Sequence, residues 1–444
     1  MSNYPRLSSS GIKVIIVGAG FAGLTAAIEC DRKGHSVTVF ERVSDLKPLG
    51  DIISFGQNAS RIFMKWPGVM EKMELIIHKS EAFTYHDWEG KFVTTQSFAS
   101  EREWGRRING HRGELHRILY QHALDRGIKV LLGQNVTDYF ECEDEAGIVA
   151  SGQRHTADII LAAEGVKSRG RGIVLGFDDK PQPSGYAVYR AWFSTEKLKQ
   201  NDLTKHLVQG DSHNGWIGQD IHFLAAAIKD GEEMSWVCTH KDEAGIKESW
   251  QFPGKVEDVL RILEGWAPVV QELVKATPPD RLFDYKLVFR NPLPTFVSPK
   301  NRIALIGDAA HPFLPTSIQG ASQAMEDGVT LAACLDIAGK RKLMEAMRVY
   351  EKIRYERVHK IQATGITTRD MWHKADWDLI WQDPTLLHLK REPWVLNFDA
   401  EEHTYLEYEK MRSLLDPADN NGNQSSTPTS KAHSAYNKSH SCRG

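Results

Sequence analysis

The chain has 444 residues, of which 41% are hydrophobic, 25% charged and 9% aromatic, an ordinary globular mixture that excludes global disorder, collagen and coiled coil. At ~150 residues per domain, this length predicts roughly two or three domains. The formal net charge of −3 shows no basic excess, so we expect no nucleic-acid partner.

Cysteine usage and hydropathy indicate the compartment. The five cysteines are widely spaced and none lies in a CxxC pair, which predicts no metal site and is typical of a reducing compartment. The first residues lack the apolar run of a signal peptide, and no stretch approaches the ~18 consecutive apolar residues of a membrane helix. We therefore expect a cytoplasmic protein without stable membrane insertion.

The front of the chain has the pattern of a βαβ unit. Residues 14–17 form an unbroken β-branched run, as expected for a strand that is buried on both faces. Glycines follow, then a helical stretch at residues 24–30 and a second strand at residues 36–41. This order predicts an α/β fold that begins with a parallel pair of strands.

The remaining segments differ in pattern. A second sheet is predicted from alternating residues at 76–103 and from strand patterns rich in tryptophan further on, and a buried strand with long helices follows it. The polar tail cannot bury enough apolar surface to offset its ordering entropy. The predicted division is a discontinuous α/β domain (11–75, 104–180 and 286–345), a sheet domain (76–103 and 181–285), a C-terminal helical region (346–416) and a disordered tail (417–444).

Three glycines between the first strand and the first helix form a G-x-G-x-x-G dinucleotide-binding pattern. Gly18 permits the tight turn, Gly20 lets the backbone approach a pyrophosphate, and Gly23 allows close packing of helix on strand. Glu41 ends the second strand, where an acid accepts hydrogen bonds from ribose hydroxyls. An acid at this position favours FAD or NAD over NADP, and the pattern does not separate the first two.

Two later segments carry a resemblance to a known family. The first is residues 158–171, which contain Glu164-Gly-Val-Lys-Ser and end at Arg171, and the second begins Gly307-Asp-Ala-Ala-His-Pro and runs to Gln319-Gly320. Together with the glycine pattern, they resemble the single-component (group A) FAD-dependent aromatic monooxygenases, which are similar to salicylate hydroxylase. Glu164 stands where that family usually has aspartate, so the carboxylate is kept but displaced by one methylene.

The resemblance implies a fold, cofactors and cofactor-binding residues. The fold would be a Rossmann-like FAD-binding domain of the glutathione-reductase type with an inserted substrate-binding β-sheet and C-terminal helices. FAD would be the bound cofactor, and NADPH or NADH a transient co-substrate that meets the Glu164 loop. No metal is implied. The residues expected to contact FAD are Gly18, Gly20, Gly23, Glu41, Arg42, Arg112, Asp308 and Gly320.

The oxygen-transfer chemistry of this family suggests two further residues. Family members form a flavin C4a-hydroperoxide and hold it near an oriented, electron-rich ring, with water excluded. Arg190, on a predicted strand at the domain junction, could donate to the peroxide or anchor substrate, or it could simply pair with a surface carboxylate. Asp51 follows Gly50 where the chain should pass the flavin, and it could accept from substrate or be an ordinary loop aspartate.

The sequences of these motifs most resemble those of fungal secondary-metabolite members of the family. The predicted activity is insertion of one oxygen atom from O₂ into an indole alkaloid by 2,3-epoxidation, because no convincing phenolate-forming base is visible. A phenol or salicylate-type hydroxylase is one alternative, and an FAD-linked reductase or dehydrogenase is another. The expected partners are a small aromatic substrate and O₂, and the oligomeric state stays open.

Overall fold

The computed structural model describes residues 8–46, 52–177, 179–242 and 252–415. Asp51 and the predicted tail at 417–444 therefore lie outside the described residues. The strands are β1 (Lys13–Val17), β2 (Ser36–Phe40), β3 (Ile52–Phe55), β4 (Ala82–Asp87), β5 (Phe92–Ser97), β6 (Ile108–His111), β7 (Lys129–Leu131), β8 (Val136–Glu141), β9 (Ala146–Ala150), β10 (Gln153–Ala157), β11 (Ile159–Ala162), β12 (Gln182–Ser194), β13 (Ser212–Gly218), β14 (Ile221–Ile228), β15 (Glu233–Lys241), β16 (Phe252–Pro253), β17 (Leu282–Phe289) and β18 (Ile303–Leu305).

The helices are α1 (Phe21–Arg32), α2 (Gln57–Met64), α3 (Val69–Glu74), α4 (Arg112–Asp125), α5 (Gly170–Leu175), α6 (Glu196–Lys199), α7 (Val256–Ile262), α8 (Pro268–Ala276), α9 (Gly320–Ala338), α10 (Leu343–His373), α11 (Trp377–Gln382), α12 (Pro393–Leu396) and α13 (Ala400–Ser413). No helix among these described residues is long and apolar enough to cross a membrane.

A parallel five-stranded sheet, in the order β18-β11-β1-β2-β7, positions the glycine turn. Its central strand β1 is a run of valine and isoleucine buried on both faces, as parallel strands require. Helices α1 and α9 cross on this sheet at close range, because a Cβ at Gly328 would lie 2.7 Å from the backbone nitrogen of Ala26. The glycine turn after β1 and the Asp308 loop after β18 consequently meet at the same sheet edge.

An eight-stranded sheet, in the order β16-β17-β12-β15-β14-β13-β4-β5, forms the second layer. The β4–β5 hairpin, which comes from the segment predicted at 76–103, joins it by parallel pairing of β4 with β13. One face of this sheet packs on α7 and α8 through a core that includes Trp236 and Leu273. The α/β fold class, with its additional sheet and C-terminal helices, is confirmed, whereas the limits of the domains remain predictions.

A three-stranded antiparallel sheet, in the order β10-β9-β8, was not predicted. Its middle strand contains Gly147, where a Cβ would lie 2.2 Å from the ring of Phe140. The aromatic ring thus packs directly over the glycine. The short strands of this sheet have no clear alternation of apolar and polar residues, so the sequence did not predict them.

Candidate flavin and substrate site

The three glycines of the turn after β1 have different steric surroundings. Gly18 has a φ of +104°, and a Cβ there would lie 2.4 Å from the carbonyl oxygen of Ala163. A Cβ at Gly23 would lie 1.9 Å from the carbonyl oxygen of Gly18. A Cβ at Gly20 would meet nothing within 4 Å. The first and third glycines are therefore needed for packing, and the second borders open space in which a pyrophosphate fits.

The start of α1 and the end of β2 form the next part of the site. The first turn of α1 contains no acidic residue, so the positive end of the helix is left for an anion. Glu41 follows β2, and its carboxylate accepts from the backbone N–H of Ala19 at 2.8 Å and of Val43 at 2.9 Å. Glu41 is thereby held beside the glycine turn, and Arg42 next to it is exposed.

Helix α4 is fastened to the glycine turn and carries the predicted arginine. Nε2 of His116 lies 2.6 Å from the carbonyl oxygen of Ala19. Arg112 is the first residue of α4 and is exposed, and its charge acts on Asp308 across the site. The structure therefore brings Arg112 and Asp308, which are far apart in sequence, to the same site as the glycine turn.

Asp308 lies on the floor of a cleft. Its side chain is exposed to solvent, yet protein atoms around it raise the pKa of its carboxyl, an effect that His311 and Arg112 oppose. The preceding Gly307 has a φ of +59°, and a Cβ there would lie 2.8 Å from the Cβ of Ala22. This glycine lets the Asp308 loop close over α1 while the carboxylate points into the cleft.

A fully buried ionic network supports the Asp308 loop from below. Asp327 Oδ2 accepts from the backbone N–H of Gly307 at 2.8 Å and lies 2.6 Å from Nε2 of His311. Its Oδ1 accepts from Nε of Arg354 at 2.8 Å, and Arg354 also pairs with Glu326. Burial alone would raise the pKa of Glu326, but Arg357 and Arg354 lower this pKa to about 2.

The same network fixes the start of α9. Asn58 Nδ2 donates to Oε1 of Glu326 at 2.6 Å and to Oε1 of Gln319 at 3.1 Å. Gln319 immediately precedes Gly320, which begins α9, and no acidic residue lies in the first turn of this helix. Ile318 adopts the left-handed conformation with a φ of +56°, a strained state for a β-branched residue that this packing must maintain.

Sequence reasoning did not identify this network. Glu326 and Asp327 follow the motif that ends at Gly320, and no motif in the sequence marks them as buried ions. Arg354 reads as one more charged residue on a long helix. The only available signal was the paired acids within the otherwise apolar sequence of α9, where an unpaired charge would be costly.

The carboxylate of Glu164 accepts hydrogen bonds from other residues of its own loop. Glu164 Oε2 accepts from the hydroxyl of Ser168 at 2.6 Å and from the backbone N–H of Gly170 at 3.2 Å. Burial raises the pKa of Glu164, and these hydrogen bonds oppose that change. The additional methylene relative to aspartate is thus accommodated within the loop, whose shape is set by Glu164.

Arg190 lies on the face of β12 that is opposite the α7–α8 core. Alternate residues of a strand point to opposite faces, and Tyr189 and Phe193 belong to that core. Trp192, on the same face as Arg190, packs edge-on against His111 with ring centroids 4.5 Å apart. Because His111 directly precedes Arg112, this face of β12 is turned toward the start of α4.

The structure separates two other residues from the chemistry. Tyr189, the neighbour of Arg190 on β12, is buried in the core and stacks on His240 with ring centroids 4.9 Å apart. His311, which follows the Asp308 loop, is fully enclosed and pairs with Asp327. Both side chains therefore serve packing.

Taken together, these residues fit FAD. The open space at Gly20, the anchored Glu41, the positive ends of α1 and α9 and the cleft-facing Asp308 would supply bound FAD with a pyrophosphate site, a ribose acceptor and an acceptor for the ribityl chain. Arg112 adds a positive charge at the same site.

Comparisons with known proteins agree with this assignment. The profile of the family described as FAD binding domain matches residues 11–363. Asperlicin C monooxygenase of Petromyces alliaceus is 35% identical over 419 residues, which cover 92% of this chain and 90% of the relative. This relative is a fungal enzyme, as the sequences of the motifs predict.

Two solved structures extend the comparison. The structure of CtdE in complex with FAD and a substrate superposes with a TM-score of 0.86 at 34% identity, covering 91% of this chain and 99% of the other. A salicylate hydroxylase substrate complex shares the fold, with a TM-score of 0.75 at 24% identity and coverage of 89% and 98%. The predicted family is thus confirmed: the chain belongs to the FAD binding domain family and is an FAD-dependent monooxygenase.

Proposed function

We propose that this monooxygenase takes electrons from NADPH or NADH and inserts one oxygen atom from O₂ into an electron-rich aromatic ring. The ring we propose is an indole, oxidised at its 2,3-bond, in fungal secondary metabolism. The observation that supports the site of transfer is the position of Arg190, on the sheet face that contacts the start of α4 through Trp192 and His111.

Bound FAD supplies the activation of O₂, and the chain supplies binding, orientation and charge. Asp308 and Arg112 would hold the cofactor, with the Asp327 network keeping the Asp308 loop in place. Arg190 is always charged and offers five donors, so it can stabilise oxygen that gains negative charge during transfer. Asp51 stays a proposed acceptor for the substrate.

The histidines on the sheet face that carries Arg190 favour an indole over a phenol. Strand register places His213 and His222 on the same sheet face as Arg190. Burial lowers the pKa of both histidines well below 6.5, and Nδ1 of His222 lies 2.7 Å from Nε2 of His373. A phenol hydroxylase benefits from a base that forms phenolate, whereas these two rings are packing groups, and oxidation of an indole needs no such base.

The relative named asperlicin C monooxygenase and the substrate complex of CtdE add support for a small organic substrate. The test is aerobic turnover of the FAD-loaded protein with matched indole and phenol substrates, followed by product mass. A gain of one oxygen atom on indoles supports the proposal. Preferred oxygenation of phenols would support the hydroxylase alternative, and reduction or dehydrogenation without oxygen uptake would support the reductase alternative.

A further inference from the structure

Arg107 is an interior arginine to which the described residues supply no carboxylate within ion-pair distance. It stands directly before β6 and its side chain is half-buried. Its Nη1 is buried and has no hydrogen-bond partner among the described residues. Burial lowers the pKa of its guanidinium, and the charge of Arg391 lowers this pKa further. A positive charge in such surroundings is unfavourable unless an acceptor is supplied.

The carboxylate whose charge acts on Arg107 belongs to Glu101, and other residues already occupy it. Arg391 donates from Nε to Oε1 of Glu101 at 2.6 Å and from Nη2 to Oε2 at 2.7 Å. Gln57 donates from Nε2 to the same Oε2, also at 2.7 Å. Glu101 is therefore neutralised by Arg391, and the charge of Arg107 is in excess within this group of residues.

Neutral groups hold the Arg107 side chain in place. Its Cζ lies 4.2 Å from the centre of the Phe98 ring. With its amide nitrogen directed to Oγ of Ser54 at 2.7 Å, Asn109 accepts from Nε of Arg107 at 3.3 Å. In the part of the chain that the structure describes, neither Nη group makes a hydrogen bond. The side chain is thus positioned, while the end that makes paired hydrogen bonds is unused.

The charge of Arg107 acts on the sheet face that carries Arg190. Burial lowers the pKa of His213, and the charges of His78 and Arg107 lower it further. Burial raises the pKa of Tyr85, and the charge of Arg107 opposes that change. Strand register places His213 and Tyr85 on the same face as Arg190. Arg107 consequently lies against the part of this face that β13 and β4 form.

One row of residues crosses this face from β12 to β4. Its members are paired in the order Arg190, Val237, Leu224, Gly215 and Tyr85. At ~4.8 Å per strand, the row spans about 19 Å, which is longer than an indole ring. Its middle is apolar. A substrate whose ring is oxidised beside Arg190 would therefore reach the other end of the row through a substituent.

The loop before α9 borders the same end of the row. Ile318, which precedes Gln319 at the start of α9, packs against the hydrophobic cluster that contains Tyr85 and Phe98. Phe98 is the ring that carries the Arg107 guanidinium. A group bound at Arg107 would thus lie beside the proposed flavin site without using any residue expected to contact FAD.

We propose that Arg107 is a specificity-determining residue, which binds a carbonyl oxygen, of a carboxylate or an amide, on a substituent of the aromatic substrate. This inference rests on the proposed function. A guanidinium presents parallel N–H donors in a planar fork, which matches a planar oxygen acceptor. Such a group would give Nη1 the acceptor that the described residues do not supply. Arg190 would act at the ring, and Arg107 at the substituent.

The test measures binding without turnover, by calorimetric titration of the oxidised, FAD-loaded protein. The probes are 3-alkylindoles of increasing chain length, each made with a terminal carboxylate, a primary amide or a methyl group. At the best chain length, we expect the carboxylate to bind about tenfold to a hundredfold more tightly than the methyl compound, as a charge-assisted hydrogen bond would give. The amide should lie between them, because its oxygen accepts without a charge.

The variants separate a role in binding from a role in folding. Arg107→Met should bind the three compounds nearly equally, and Arg107→Lys should keep only part of the preference, because an ammonium lacks the fork. Arg106→Met, which removes the exposed neighbour that pairs with Glu74, is the matched control and should keep the full preference. Arg107→Met should melt no lower than the parent, whereas Arg391→Met should melt lower because Glu101 loses its ion pair.

Three results would overturn the inference. They are equal binding of the three compounds by the parent, an unchanged preference in Arg107→Met, and a melting temperature that falls as far in Arg107→Met as in Arg391→Met. The last would make Arg107 a structural residue. A matched series of phenols separates this inference from the proposed function. Oxygenation of phenols alone, with the preference for a carbonyl intact, would refute the indole proposal and leave the role of Arg107 standing.

Discussion

The carboxylate of Asp327 lies 2.6 Å from the ring of His311, and both side chains are fully buried. The same carboxylate oxygen accepts from the backbone N–H of Gly307, so α9 holds the two ends of the loop that carries Asp308. Burial would raise the pKa of Asp327, but His311 and Arg354 outweigh it and lower that pKa. The loop at the proposed ribityl site is consequently positioned by a buried carboxylate of the neighbouring helix.

Asp308→Ala should lose most bound FAD and remain folded, because the side chain faces the cleft rather than the core. The readout is the ratio of flavin to protein absorbance after gel filtration, with the melting temperature of the flavin-free protein as a check on folding. Asp308→Asn keeps an acceptor oxygen and should retain more flavin than Asp308→Ala. Full flavin occupancy in the alanine variant would show that Asp308 does not bind the cofactor.

Two glycines of the turn after β1 allow the effect of a substitution on cofactor binding to be separated from its effect on packing. Gly20→Ala should leave the flavin-free protein as stable as the parent but weaken FAD binding, because its Cβ points into open space. Gly23→Ala should destabilise the flavin-free protein, because its Cβ would collide with the carbonyl oxygen of Gly18. Thermal unfolding without FAD and flavin titration separate the two effects. Equal destabilisation by both substitutions would contradict the distinction.

Removing Arg354 should be severely destabilising. Its guanidinium is fully buried and pairs with both Glu326 and Asp327, so Arg354→Met leaves two buried carboxylates with fewer partners. The expected loss in free energy of unfolding is about 3–5 kcal/mol. Chemical denaturation measures it, and Lys352→Met on the same helix is the control. A loss below about 1 kcal/mol would show that the network relaxes at little cost.

Glu326 should contribute to the pH dependence of stability. Its folded pKa of about 2 lies below the ordinary value of 4.5, so ionisation stabilises the fold above pH 4.5. This contribution is lost as the pH falls from about 4.5 to about 2. The difference in unfolding free energy between the parent and Glu326→Gln should therefore shrink over that range. A constant difference with pH would exclude an ionised Glu326 in the folded protein.

Arg190→Ala should bind FAD and oxidise reduced nicotinamide normally, yet release hydrogen peroxide instead of oxygenated product. Loss of such a donor typically costs ~10²–10³ in rate for the assisted step. Arg190→Lys keeps the charge without the guanidinium fork and should restore coupling only in part. The ratio of product to nicotinamide consumed is the measurement. Coupling equal to that of the parent in Arg190→Ala would make Arg190 a structural strand residue.

The parts of the fold that depend on local pattern could be predicted from sequence. The β-branched run expected at residues 14–17 appears as β1, which begins one residue earlier, and the first of the long helices expected after the last buried strand appears as α9. Their period and their flanking glycines are local signals. The joining of the β4–β5 hairpin to β13 depends on pairing over more than 100 residues, which no local pattern encodes.

The residues of the candidate site also differ in whether the sequence could predict them. Gly18, Gly20 and Gly23 stand in a motif whose spacing carries its chemistry, so they could be named in advance, and Asp308 could be named from the family resemblance. Asn58 and Arg354 could not, because what distinguishes them is burial against Glu326 from separate helices. The orientation of the Arg190 side chain could not be predicted from the sequence either. Only the position of Tyr189 in the core shows which face of β12 is turned toward α4.

The most direct test of the central claim is aerobic turnover under ¹⁸O₂ with an indole substrate, followed by the product mass. The account predicts that one ¹⁸O atom appears in the product for each reduced nicotinamide consumed, and that Arg190→Ala diverts this oxygen to hydrogen peroxide. Nicotinamide oxidation with no ¹⁸O in any indole or phenol product would contradict the account, because flavin would then be reoxidised without oxygen transfer.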